Sequence, residues 1–411
     1  MQVVEQHVLR KRDPRYEVID QAAFASKNLY NAALYEMRQA FIFQQVRFTY
    51  PEMHARMKSH DAYKALPAKV AQQVLRLLDK NWKAWEEAME AWDADPSQFL
   101  GRPGLPKYKE KQQGRNILVY TMQALSKRAL QRGMIAPSGL PITVQTRQTN
   151  VKQVRIVPRS GYYVVEVVYE RQEQPQPVNP TWIASIDIGV NNLAAITANK
   201  EGFIPRLVNG RPLKSVNQYY NKRKAELQKW SKHDHFTQRM HRMMTKRTRR
   251  IDHYLHTSSK RIIDLLVSEG IGTLIIGKNP FWKQAVEMRK KEKQHFVQLP
   301  HARFVDMLCY KAKLVGIQVV LQEESYTSKA SFLDGDAIPT YGKEQEERKF
   351  SGRRVKRGLY QAGNGRKLNA DINGSLNILR KASPNAFSNG VEDAVVHPVR
   401  LAVQSLTSRI V

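Results

Sequence analysis

Residues 183 to 188, Ile-Ala-Ser-Ile-Asp-Ile, form an apolar run with one carboxylate in it. Strand alternation puts Ile183, Ser185 and Asp187 on one face and Ala184, Ile186 and Ile188 on the other. Gly189-Val-Asn-Asn predicts a turn, Leu193 to Thr197 a second strand, Asn199 to Gly202 a second turn, and Phe203 to Val208 a third strand. Upstream, Val3 to Leu9 reads as an edge strand. Helical spacing then covers Tyr16 to Phe43, Tyr63 to Leu66 and Pro67 to about Trp92. Pro and Gly break the period between 96 and 115, where Lys107, Tyr108 and Lys109 suit a phosphate backbone better than a merely solvated linker. Strands return at Asn116–Tyr120, Ile142–Gln145, Val151–Val157 and Tyr162–Tyr169, a small barrel or sheet that Val3–Leu9 could complete. Gln172 to Pro180 reads as an extended linker.

Beyond the meander, Pro212 to Leu266 is helical and densely basic. Arg239, Arg242, Lys246, Arg247, Arg249 and Arg250 follow Tyr219, Tyr220 and Trp230, with few acids among them. A solvated charged face would mix in more acids, so this pattern points to a nucleic-acid groove. The histidines at 233, 235, 241, 253 and 256 are scattered over helix faces and do not converge as metal ligands would. Thr273–Ile276 is a buried strand ending at Gly277, Arg303–Val315 a helix, and Ile317–Glu324 a further strand. An irregular basic segment runs to Lys367, and a helix then opens with Asp371 in its first turn. This order of meander, helices, strand, helix, strand and late acidic helix is that of an RNase H-like α/β sheet.

Charge narrows the partner. The 411 residues carry a formal +30 and a pI near 10.1, spread along the whole chain, which calls for a large polyanion such as RNA or DNA. No apolar run reaches the roughly 20 residues of a membrane span, and the first residues lack a signal-peptide core. The expected setting is intracellular. A single cysteine, Cys309, excludes a disulfide framework within the chain and any multi-cysteine zinc site. It falls in a helical pattern and reads as a small buried apolar residue.

Cutting a phosphodiester with two divalent ions about 3.5–4 Å apart needs carboxylates converging from separate elements. Mg²⁺ takes oxygen ligands, so Asp and Glu suffice. Asp187 and Asp371 supply two corners; a third acid is expected on the fourth strand, where this chain has Gly277.

The chain resembles the TnpB family, transposon-encoded RNA-guided nucleases related to Fanzor proteins and type V CRISPR effectors. The resemblance rests on Ser185-Ile-Asp187-Ile-Gly189-Val-Asn-Asn-Leu193, Tyr326-Thr-Ser-Lys329 and Asp371-Ile-Asn373-Gly-Ser-Leu-Asn377-Ile. It implies a wedge-like β-barrel (1–12 and 108–172) interrupted by a helical recognition insert (13–107) and followed by a linker (173–180). A RuvC-like nuclease domain (181–329 and 367–385), an insertion (330–366) and a tail (386–411) complete the expected organisation; Asn389-Gly390 suggests partial order in the tail. The implied activity is RNA-guided DNA endonucleolysis beside a short motif read by the N-terminal region. The implied partners are a structured guide RNA from the transposon end and double-stranded target DNA, in a bacterial or archaeal cytoplasm. Two Mg²⁺, or Mn²⁺, would serve as cofactors.

Two departures from the family stand out. Some members without the fourth-strand glutamate carry one two residues before the Tyr-Thr-Ser segment, here Glu324, which could reach across Gly277 because strands lie about 4.8 Å apart. Glu323 would point to the opposite face. The implied set is therefore Asp187, Glu324 and Asp371, with Glu323 and an inactive site as the alternatives. In the insertion, the positions of two zinc-ribbon cysteine pairs are Ser331, Asp334, Gln361 and Asn364, so no zinc ribbon is expected. Arg353, Arg354, Lys356 and Arg357 would grip nucleic acid in its place, and Lys329 could meet a phosphate near the cut. The competing function is a cleavage-deficient, RNA-guided repressor. An unguided resolvase would need neither the helical insert nor this much charge.

Overall fold

The computed structural model describes residues 1–230, 237–279, 294, 296–339, 349–387 and 397–403. It divides into two compact units, Met1–Arg171 and Gln172–Val411.

In the first unit, β1 (Gln2–Arg10) is followed by helices α1 (Arg15–Gln44), α2 (Tyr50–Met57), α3 (Asp61–Lys64) and α4 (Ala68–Ala94). Then come β2 (Leu118–Thr121), α5 (Lys127–Gln131), β3 (Met134–Ile135), β4 (Val144–Gln145), β5 (Val151–Arg159) and β6 (Tyr162–Glu170). Helix α2 lacks a strong apolar stripe, but a capping box marks it: Glu52 accepts the Thr49 backbone N–H at 2.7 Å. The main sheet has the order β1-β6-β5-β2 and is antiparallel throughout. It is open, where a closed barrel was expected; β2 has only four residues, and β3 and β4 pair apart from the sheet. Strand β6 is buried on both faces, so its Val-rich run does not alternate, whereas the edge strand β1 does. Leu29, Leu34, Leu75 and Trp82 of the helices share one core with Val154, Ile156 and Val165 of the sheet.

The second unit begins within the expected linker. Gln174 and Gln176 donate backbone N–H bonds to the carbonyls of Leu314 and Val315, and Asn179 already starts β7 (Asn179–Asp187). The later elements are β8 (Asn192–Ala198), β9 (Arg206–Asn209), α6 (Arg211–Lys229), α7 (Gln238–Ser268) and β10 (Ile271–Gly277). They continue as α8 (His301–Leu314), β11 (Gln318–Gln322), β12 (Arg353–Lys356), β13 (Leu359–Gln361), β14 (Lys367–Asn369), α9 (Ala370–Ala382) and β15 (Val399–Arg400). The histidines at 233 and 235 and Asn389-Gly390 lie outside the described residues.

Six strands form a mixed sheet in the order β11-β10-β7-β8-β9-β15. β7, β8 and β9 are an antiparallel meander, and β10 and β11 add parallel to β7 through helical crossovers. This is the sheet expected of an RNase H-like unit, extended by β15 from the tail. The insertion, expected to be irregular, contributes β12 and β13 to a three-stranded antiparallel sheet that β14, just beyond it, completes.

Alternation along β7 decides what packs where. Ala184, Ile186 and Ile188 enter the core with Leu255 and Ile262 of α7 and Phe304 and Leu308 of α8. Ser185 faces α9, where Ser375 meets it. The Ser185 and Thr197 hydroxyls lie 2.8 Å apart, Ser375 is 2.9 Å from Thr197, and the Ser375 hydroxyl donates to the Ser185 carbonyl at 3.1 Å. A fully buried polar cluster of this kind is tolerable because each member is bonded. Further along α9, Asn377 Nδ2 donates to the carbonyls of Thr327 (2.9 Å) and Ala330 (2.7 Å). Asn373 donates to the same Ala330 carbonyl and accepts the Phe332 N–H. These two asparagines pin the segment after β11 onto α9.

Asn377→Ala should therefore destabilise the second unit by about 2–3 kcal/mol, because it strips donors from buried carbonyls. Denaturant unfolding of the full chain checks this, and the transition of the first unit should stay in place.

Candidate active site

Asp187 is the last residue of β7, half-buried under the first turns of α9. Gly374 makes that approach possible, since a Cβ there would lie 2.7 Å from Asp187 Oδ2. Asp371 stands in the first turn of α9, where the helix N-terminus favours negative charge. Asn369 caps this helix by accepting the Asp371 and Ile372 N–H groups at 2.9 and 3.2 Å. Asn192, the first residue of β8, donates to Asp371 Oδ2 at 2.7 Å.

Glu323 and Glu324 follow the end of β11 and do not belong to the strand. The Glu324 backbone N–H is held by the Asn279 side chain at 3.0 Å, and its carbonyl accepts the Thr327 hydroxyl at 2.8 Å. Tyr326 sits at φ +64°, a left-handed conformation uncommon for an aromatic residue, and reverses the chain here. The Glu324 carboxylate comes to lie over Gly277, so close that a Cβ at 277 would collide with it and with Ile378. Glu323 turns away. Its carboxylate accepts from Lys381 Nζ at 2.5 Å and from the Ser325 N–H at 2.7 Å, and Lys381 Nζ also reaches the Ser325 and Pro339 carbonyls.

The electrostatics follow this division. Burial pushes the Asp187 carboxyl well above the usual carboxylate range, and the charges of Glu324 and Asp371 push it further. Burial and the neighbouring Glu323 charge raise Glu324 to about 7. Glu323 goes the other way: burial opposes its charge, but hydrogen bonds from Lys381 and Ser325 hold it below the ordinary value. Among the described residues no three carboxylate or imidazole groups converge tightly enough to enclose an ion as they stand. Asp371 is meanwhile engaged by Asn192 and by Arg354, whose Nη2 is 3.5 Å from Oδ1. The donor set nevertheless fits a hard divalent cation: it offers only carboxylate oxygens, whose repulsion a cation would relieve.

The basic residues divide. Lys107, Tyr108, Arg239, Arg242, Lys246, Lys329, Arg353, Arg354, Lys356 and Arg357 are exposed. Arg249 and Arg250 are half-buried. Two expected nucleic-acid contacts are spent internally. Lys109 is half-buried over the Tyr30 ring, its backbone tied to Asn31. Arg247 donates to Asn217 at 2.6 Å and lies over Tyr220, joining α6 to α7. Asn192, Gly374 and the Arg354 contact with Asp371 were not singled out from the sequence, although the Asn191-Asn192 pair and the Asn-Gly-Ser of α9 carried the signal.

Glu324→Gln should raise the unfolding temperature of the metal-free chain at pH 8 by a few degrees. The folded-state value of Glu324, about 7, lies above its ordinary 4.5, so the fold loses stability as pH rises between them. The neutral isostere removes that penalty, on the order of 1–3 kcal/mol before solvent screening. Thermal unfolding in chelator should show the gain at pH 8 and little difference below about pH 4.

Two family models match the chain. OrfB_IS605, described as "Probable transposase", matches residues 166–281, and the Cas12f1-like TNB domain matches residues 301–378. The TnpB-like protein ORF457 of Acidianus two-tailed virus is 25% identical over 210 residues, which take in 49% of this chain and 42% of that protein. The match thus spans less than half the length of that relative. The cryo-EM structure of a Cas12f1–sgRNA–target DNA complex shares the fold, at 14% identity and a TM-score of 0.51, over 88% of this chain and 82% of that one. The first model takes in the strands bearing Asp187 and Gly277, the second takes in Glu324 and Asp371, and with the viral relative they make this chain similar to TnpB-like proteins over the segments that carry all four positions.

Proposed function

We propose that the protein is an RNA-guided DNA endonuclease of an insertion sequence, with Asp187, Glu324 and Asp371 as its metal-binding carboxylates. The observation that carries this reading is the Glu324 carboxylate lying over Gly277 while the adjacent Glu323 is consumed by Lys381. A chain without a fourth-strand glutamate has thereby a third acid beside Asp187. The match to the transposase family model and a fold shared with a protein captured on guide RNA and target DNA support the choice of partners.

Two Mg²⁺ or Mn²⁺ ions, when bound, would supply a nucleophilic water and stabilise charge on the scissile phosphate. The chain's own residues do the rest. Ser375 and Gly374 bring α9 against β7, so that Asp371 and Asp187 share one pocket. Asn192 orients Asp371, and Asn279 with Thr327 fixes the backbone from which Glu324 projects. Exposed Arg239, Arg242 and Lys246, spaced along α7, offer cations for a nucleic-acid backbone, as do Arg353, Lys356 and Arg357 on the insertion. Lys107 and Tyr108 would contribute from the first unit, and Lys329 beside the site. A short motif next to the target would be read by protein, and the remaining target sequence by base pairing with the guide.

Cleavage of a plasmid library by the protein with its flanking RNA in Mg²⁺ tests the reading. Asp187→Ala and Glu324→Ala should lose at least about 100-fold in cutting, while Glu323→Ala retains cutting and loses stability. Guide-dependent binding without cutting by wild type would instead leave an RNA-guided repressor. A swap probes the third acid further: Gly277→Glu should restore part of the cutting lost in Glu324→Ala, and it should damage wild type, where the two carboxylates would clash. Metal binding requires deprotonated ligands. Mg²⁺ affinity, followed by titration calorimetry, should thus rise with pH through about 7 with net proton release.

A further inference from the structure

The sheet at the insertion is too small to stand by itself. β12, β13 and β14 contribute four, three and three residues, and the buried core beside them is Tyr360, Leu368 and Ala370 with Leu333 packed against it. A unit of this size ordinarily needs a staple, often a structural metal. Positions 331 and 334, and again 361 and 364, repeat the two-residue gap of a paired-knuckle metal site. They hold Ser, Asp, Gln and Asn, and their surroundings do not fit a cation. Asp334 Oδ2 accepts the Ser331 hydroxyl at 2.5 Å and the Gly363 N–H at 2.6 Å, while Oδ1 accepts the Asn364 N–H at 3.2 Å. Hydrogen-bond donors from both knuckles therefore point inward. Such a pocket attracts a carboxylate and repels a metal ion.

We propose that Asp334 and Asp336 form a metal-free clasp that closes the insertion and fixes its basic hairpin beside the nuclease site. Asp336 completes it: Oδ2 accepts the Ser331 and Ser351 N–H groups at 2.7 and 3.1 Å, and Oδ1 accepts the Ser351 hydroxyl at 2.5 Å. Three stretches, 331–336, 351 and 363–364, thus meet on two carboxylates. The clasp is fastened to α9, and the sheet it closes to the segment that follows β11. Arg380 of α9 donates to the Asp336 carbonyl at 2.6 Å, and the Tyr360 hydroxyl donates to the Lys329 carbonyl at 2.8 Å. Gly363 permits the close approach, since a Cβ there would lie 3.1 Å from the Ser351 carbonyl oxygen. Burial works against the Asp334 charge, but these hydrogen bonds keep its carboxyl below the usual range, as a carboxylate serving as an anchor requires. The product is a fixed β12, with Arg354 beside Asp371. That last consequence rests on the nuclease reading; the clasp itself does not.

Hydrogen exchange on the full chain tests the clasp without RNA, DNA or catalysis, so its failure is separate from failure of the nuclease reading. Asp334→Asn keeps the shape but turns an amide toward inward-facing donors. Amides of residues 359–369 should exchange at least about tenfold faster in that variant and in Asp336→Asn, with β7 unchanged. Wild-type protection should be indifferent to chelator. A variant carrying S331C, D334C, Q361C and N364C should take up one zinc per chain by native mass spectrometry and regain protection that chelator then removes. Wild-type exchange rates in both aspartate variants would overturn the clasp. So would wild-type protection that chelator abolishes, or a four-cysteine variant that binds zinc and stays unprotected.

Discussion

Burial of the neighbouring acids Asp187 and Glu324, with Asp371 beside Asp187, is the constraint against which the second unit is built. Each carboxylate comes from a separate element, the end of β7, the turn after β11 and the start of α9, so none can relax without moving the element behind it. Their surroundings supply little relief. Behind Asp187 lie the neutral hydroxyls of Ser185, Thr197 and Ser375, and Arg354, 3.5 Å from Asp371, eases the Asp187 charge only in part. Burial first, then the charges of Glu324 and Asp371, raise Asp187, and burial with the Glu323 charge raises Glu324; hydrophobic packing of the sheet between α7 and α8 on one face and α9 on the other sustains that cost. On the proposed reading, such a site gives up stability for a charge density that a bound cation would satisfy.

Two glycines are the geometric counterpart of that charge. At Gly277 and Gly374 the space a Cβ would fill is taken by the carboxylates of Glu324 and Asp187. Position 277 is thus more than a place from which a glutamate is missing; its emptiness lets the glutamate of another segment occupy the same corner. The adjacent Glu323 shows how sharply surroundings decide a role. One residue away, with the same chemistry, it is neutralised by Lys381 and anchors the turn to α9.

Positive charge is likewise divided by packing. The net +30 is the charge a polyanionic partner would call for, but the side chains differ in what is left for one. Arg247 links two helices and Lys109 lies against Tyr30, whereas Arg239, Arg242 and Lys246 remain exposed. Nothing in the run of basic residues distinguishes Arg247 from its neighbours; Asn217, the group it bonds, is on a different helix.

Local pattern was enough for the elements and for two corners of the site. The alternation of β7 assigned its faces, the apolar periods marked α1, α4, α7 and α8, and the places of Asp187 and Asp371, the two acids of the proposed site it picked out, were legible because each sits at the end of a strongly patterned element. Short or unpatterned pieces were less legible: α2, which fell between the helical stretches read from the sequence, the open edge of the first sheet, and the small sheet at the insertion, whose strands carry almost no alternation. Sequence also limited the third acid to two adjacent glutamates. Which of them faces Asp187, which cations are spent on folding, and whether Ser331, Asp334 and Asn364 meet were decided by tertiary structure. Periodicity reports which side of an element is buried. It does not report what lies across from it, and each of these outcomes is a contact between residues distant in the chain.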